Sequence, residues 1–315
     1  MYDHKLHHRQ LTAWLLAAII PTGIQLTAGA SWVSVLLVAM LSILCIWFRW
    51  RFGAEPQGIW MCLLWLGIMS LLLGTAAQTS ILSWPTGGHP LAAAILLLLA
   101  AWSAWKGTDA AARVGSVLFW LVLILYLVLL GSGVKEVQWK WLRPTKGDVV
   151  PLGCILLLTP AAAAVHLKKK ESFQSRLLIP GALCTLSSLI TAGVLSPRAA
   201  TEQTDAFYQM TRSLSILGQG RRFEAVLSAG MTVGWFCVFS LYLTICATIS
   251  EKIKKGAGRW GIVGATIASL GILLCQMHIP GTVLLVLCAI FWVLIPVLTQ
   301  WIVVEKKSKK SKKSS

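Results

Sequence analysis

Long runs of apolar positions, separated by short polar connections, make up most of the chain. A helix crossing the hydrocarbon core of a bilayer needs about 20 mostly apolar residues. On that measure the pattern predicts ten spans, near 11–30, 32–48, 59–79, 90–105, 114–132, 149–166, 177–196, 225–249, 260–277 and 281–303. The expected fold class is an all-α polytopic membrane protein, because a helix satisfies its own backbone where no water is available. A short polar N-terminus, residues 1–10, precedes a membrane domain over 11–304, and a tail follows at 305–315. No small-residue cleavage pattern follows the first run, which is therefore read as part of the mature protein.

Two runs carry helix breakers at their middle. The first holds Pro21, Thr22 and Gly23 within "AAIIPTGIQLTAG", and the sixth holds Thr159 and Pro160 within "VVPLGCILLLTPAAAAVHL". Proline removes a backbone donor and crowds the preceding turn, so both helices are expected to be broken there. Unpaired backbone at that depth is tolerated only inside protein or beside a water-lined cavity. Two sets of five spans, over about 11–133 and 149–304, must run in opposite senses because five is odd. This is the inverted-repeat, LeuT-like arrangement of many secondary transporters, with the first and sixth helices discontinuous. Half-helix ends meeting at the midplane present donors to a carboxylate and carbonyls to a cation, which suits an amino-acid zwitterion. The candidate ligand-binding residues are Pro21, Thr22, Gly23 and Gln25 with Thr159, Pro160 and Ala161. The competing reading is that each proline is only a kink.

Charge is absent from the depth of every span; Glu224 and Glu251 fall at the ends of the eighth. Intramembrane ionisable groups mark most proton pathways, so proton coupling finds little support. Hydroxyls of Ser228, Thr232, Ser240 and Thr244, with Tyr242, are candidates for ion coordination or gating. Against this, serine and threonine in a helix commonly bond their own backbone.

The composition agrees with the spans: 57% of residues are hydrophobic and 12% charged. A formal net charge of +17 could suggest nucleic-acid binding, but its distribution points elsewhere. With the N-terminus cytoplasmic, 20 of the 28 Lys and Arg residues fall on the cytoplasmic side, counting the six lysines of "EKKSKKSKKSS". This is the positive-inside pattern, and it places both termini in the cytoplasm. The tail is a low-complexity element suited to anionic headgroups.

All eight cysteines lie within apolar runs without a CxxC pair, and are read as small buried hydrophobes. His4, His7 and His8 lie in a polar terminus and are read as solvated rather than metal-binding. Most of the 16 tryptophans, Trp14, Trp60, Trp105 and Trp260 among them, fall near span ends as interfacial anchors. Trp65, Trp102, Trp120, Trp235 and Trp292 fall deeper and are expected to pack. Two outer loops are long. Val134–Asp148 mixes tryptophan with lysine and arginine. About 197–222 places Phe207, Met210, Leu214 and Leu217 at helical spacing and predicts an amphipathic segment on the bundle or the membrane.

The stretch "FYQMTRSLSILGQGRRFEAVLSAGMTVGWFCVFSLYL", Phe207–Leu243, resembles the signature region of the endospore germination permeases, the B-subunit-like proteins of nutrient germinant receptors. The matching residues are Tyr208, Arg212, Ser215 with Ile216, Arg222 with Glu224, Trp235, and Ser240 with Tyr242. "WLRP", Trp141–Pro144, and the opening "QLTAWLL" are similar to further elements of that family. The chain is shorter than those proteins and lacks the basic residue they often carry in the eighth span. The resemblance implies the amino acid–polyamine–organocation fold, a spore inner membrane, companion receptor subunits and recognition of a small nutrient such as an amino acid. A secondary transporter of amino acids or amines, and a membrane scaffold with a vestigial cavity, are the alternatives. No nucleophile, base and orienting group converge, and no phosphate-binding loop occurs, so neither an enzyme nor a resident cofactor or metal is expected.

Overall fold

The structure is a computed structural model that describes residues 8–27, 29–52, 59–81, 89–142, 174–202, 206–214 and 223–277, with five isolated positions between 283 and 295. The sixth predicted run, the C-terminal tail and nearly all of the tenth run lie outside the described residues. The helices are α1 (His8–Thr27), α2 (Trp32–Phe52), α3 (Ile59–Ser80), α4 (Pro90–Trp105), α5 (Thr108–Glu136), α6 (Gln174–Leu195), α7 (Pro197–Glu202), α8 (Ala206–Ser213), α9 (Phe223–Ile253) and α10 (Gly258–Leu274). A 3-10 turn covers Trp139–Trp141. Among the described residues, four helical stretches are long and apolar enough to cross a membrane: Ile59–Ser80, Thr108–Glu136, Leu178–Leu195 and Ala225–Ile253. The chain is an integral membrane protein with an all-helical fold.

Helix boundaries follow local chemistry. His89 caps α4, its Nδ1 accepting from the Leu91 amide at 3.2 Å, and Pro90 occupies the first turn, where no donor is missed. Gly107, at φ 111°, makes the tight passage from α4 to α5, and Asp109 in the first turn of α5 complements its dipole. Between α9 and α10, the Glu251 carboxylate accepts from the amides of Gly256 (2.9 Å) and Gly258 (3.2 Å), closing the turn.

α9 lies at the centre. It packs against α1, α3, α4, α5 and α10, and from Trp235 to Ile249 nearly every side chain is buried. α1 is almost as enclosed, held by α5, α9 and α6. The buried apolar residues form two clusters stacked along these helices. One joins Leu11–Ala18 and Trp235–Ile249 to α3, α4 and α10. The other joins Ile20 and Ile24 to α5, α6, α8 and the start of α9, through Tyr126, Ile190, Phe207, Leu227 and Met231. Helices approach closely where one side lacks a side chain, as membrane packing requires. Trp14 lies over Gly115, and a Cβ at Gly74 would come within 2.8 Å of Ile272. Ser269 Oγ also donates across to the Ser70 carbonyl at 3.0 Å, tying α10 to α3.

Several expectations are corrected. α1 is one continuous helix through Pro21 rather than a broken one. Trp14 is fully buried rather than interfacial, whereas Trp102 and Trp120, expected to pack inside, are 69% and 63% exposed. Cys62, Cys184, Cys237 and Cys246 are buried, but Cys275 is exposed. The segment after α6 is divided between α7 and α8, and α8 is pressed into the bundle with Phe207, Tyr208 and Met210 at 1% exposure or less.

Candidate functional site

Proline has no N–H, so the Ala17 carbonyl loses its bond from position 21 even though the helix continues. Continuity is supported by neighbouring hydroxyls and by packing. Thr22 Oγ1 donates to the Ala18 carbonyl at 2.6 Å, and Thr27 Oγ1 donates to the Gly23 carbonyl at 2.7 Å. Local side-chain bonds of this kind hold a proline-containing membrane helix together. The proline ring is seated against Gly234 of α9, where any Cβ would collide with it. A few residues along α1, Gln25 Oε1 accepts a 3.0 Å hydrogen bond from Trp235 Nε1. Trp235 is fully buried and lies beside Phe239, with ring centroids 6.0 Å apart.

Pro21 and Gln25, one turn apart on α1, face Gly234 and Trp235 of α9, with Thr22 and Gly23 between them in the chain. The crossing falls at the seam between the two core clusters. It combines a helical carbonyl deprived of its regular donor, a glutamine amide and an indole, all in an otherwise apolar interior. Thr159, Pro160 and Ala161 lie outside the described residues, and with them the second half of the expected site.

The hydroxyls of α9 do not form one cluster. Ser228 and Thr244 are 16 positions apart, which is roughly 24 Å along a helix axis. The Thr232, Ser240 and Thr244 hydroxyls each donate to the carbonyl four residues back, at 2.8, 2.6 and 2.7 Å. Their observed bonding is to their own helix. Tyr242 is fully buried on α9, two turns from Gly234.

Toward the other end of the bundle, α8 covers the second core cluster. Tyr126 and Phe207 stack with centroids 6.0 Å apart, Tyr126 Oη donates to Met231 Sδ at 2.8 Å, and Thr191 Oγ1 donates to Met210 Sδ at 3.2 Å. These contacts fix α8 to α5 and α6 and tie α5 to α9. The sequence marks Phe207 and Met210 by spacing and Trp235 by its depth in a span, but does not mark Tyr126 or the pairing of Trp235 with Gln25.

Among the described residues, two grooves open on the flanks of the bundle. One, of about 540 Å³, lies between α4 and α10; the other, of about 730 Å³, lies between α1 and α5 near Arg9 and Trp120.

No protein-family model matches the sequence, and no curated protein does. The fold is similar to that of Mhp1, a nucleobase-cation-symport-1 family transporter solved in a closed conformation with bromovinylhydantoin bound. The TM-score is 0.50 at 13% identity, over 90% of this chain and 74% of Mhp1. The likeness is one of fold.

Proposed function

We propose that the chain is a permease of the secondary-transporter class that binds a small polar organic molecule where α1 crosses α9. The observation that carries this reading is the likeness to a transporter fold over 90% of the chain. The crossing supplies a plausible seat in chemical terms: Pro21 withdraws a donor from Ala17, and Gln25 and Trp235 supply fixed polar groups in a dry surrounding. The run at 149–166 is proposed to be the counterpart of α1 in an inverted second half, bringing Thr159, Pro160 and Ala161 to the same level. Both termini are proposed to be cytoplasmic, on the positive-inside distribution.

Uptake of labelled amino acids, amines and nucleobase analogues into proteoliposomes tests the proposal, with thermal stabilisation of the purified chain by the same panel as a binding readout. Concentrative uptake of one compound, abolished by Gln25→Leu, is expected. Absence of both uptake and stabilisation across the panel overturns it.

A germinant-receptor subunit is a second reading of the same site, supported by the Phe207–Leu243 resemblance. On that reading the chain binds its nutrient without moving it, and the response requires companion subunits.

A further inference from the structure

α4 ends and α10 begins at the same end of the bundle, and the groove between them is lined by Leu98, Ala101, Trp102, Trp105, Ile267 and Leu270 among others. It opens sideways: Leu98 is 51% and Ile267 65% exposed, on helices apolar enough to stand in hydrocarbon. Its polar lining is confined to Thr266, whose hydroxyl donates to the Ile262 carbonyl at 2.8 Å, and Lys106 at the rim. Two cations mark that rim. Lys106 Nζ lies 5.4 Å from the Trp102 ring centre, and the Arg259 guanidinium carbon lies 5.4 Å from that of Trp105. The acidic residue of the adjoining turn, Glu251, is engaged by the amides of Gly256 and Gly258.

We propose that this groove holds one anionic phospholipid, with its acyl chains along Leu98, Ile267 and Leu270 and its phosphate between Lys106 and Arg259. The argument is charge complementarity joined to shape. An indole places each cation over its face at the depth where headgroups begin, and basic pockets between membrane helices select anionic headgroups. The groove supplies apolar contact for the chains that an ordinary convex flank does not.

The test is native mass spectrometry of the full-length protein released from nanodiscs of phosphatidylcholine and phosphatidylglycerol in equal parts. The wild-type chain is expected to retain one phosphatidylglycerol, and K106Q/R259Q to retain it about tenfold less or weaker still. K254Q/K255Q, which removes two charges from the neighbouring turn, should retain it as the wild type does. Ile267→Trp, which fills the groove and leaves both cations, should also lose it. Equal retention by the wild type and K106Q/R259Q, equal retention of phosphatidylcholine, or a dimer that Ile267→Trp dissolves, would each overturn the proposal. Thermal midpoints in pure phosphatidylcholine separate loss of lipid from loss of fold; Ile267→Trp provides an independent reading if the double variant unfolds.

Discussion

Pro21 of α1 and Gly234 of α9 pack so closely that no side chain fits between them. The relationship explains how a proline sits inside a buried helix without ending it. The ring that disrupts the backbone of α1 becomes the knob that fills a gap in α9. Gly234→Ala is expected to destabilise the protein by about 1–3 kcal/mol, the usual range for overpacking. The variant Pro21→Ala/Gly234→Ala should recover much of that loss, and a double-mutant cycle of thermal unfolding in detergent measures the coupling. Additive effects would show that the two residues do not meet.

The bond from Trp235 Nε1 to Gln25 Oε1 makes a second coupled pair. Gln25→Leu leaves a buried indole N–H unsatisfied, at a cost of about 1–3 kcal/mol. Trp235→Phe removes the same bond from the side of α9. Together they should cost less than the sum of the singles, and loss of ligand-induced stabilisation should accompany both.

Phe207 seals α8 against Tyr126. Truncation to Ala is expected to cost about 3–5 kcal/mol and to raise proteolysis within 197–222. An unchanged cleavage rate would argue that α8 is held by other contacts.

Exposure separates the cysteines. In single-cysteine backgrounds, Cys275 should react quickly with a maleimide, while Cys237 and Cys246, both fully buried, should react only on unfolding.

Helices within the described residues were legible where length and hydropathy define them. The predicted 59–79 and 90–105 match α3 and α4 closely, and the His89-Pro90 start and Gly107 stop are written locally. Facing was not legible. A helix apolar on all sides gives no stripe to show which way it turns, so Trp14, read as an anchor, is buried, and Trp102, read as packed, is exposed. The continuity of α1 depended on a glycine 213 positions away, and the role of Trp235 on a glutamine 210 positions away. Neither dependence leaves a mark in local sequence.

A helix missing one rung is not uniformly stiff. Below the missing rung, α1 is anchored where Trp14 lies on Gly115; above it, the rod carries Gln25 and Thr27. A small bend at Ala17–Pro21 would therefore swing the glutamine end while leaving the tryptophan end in place, giving the bundle a lever with its fulcrum already built in.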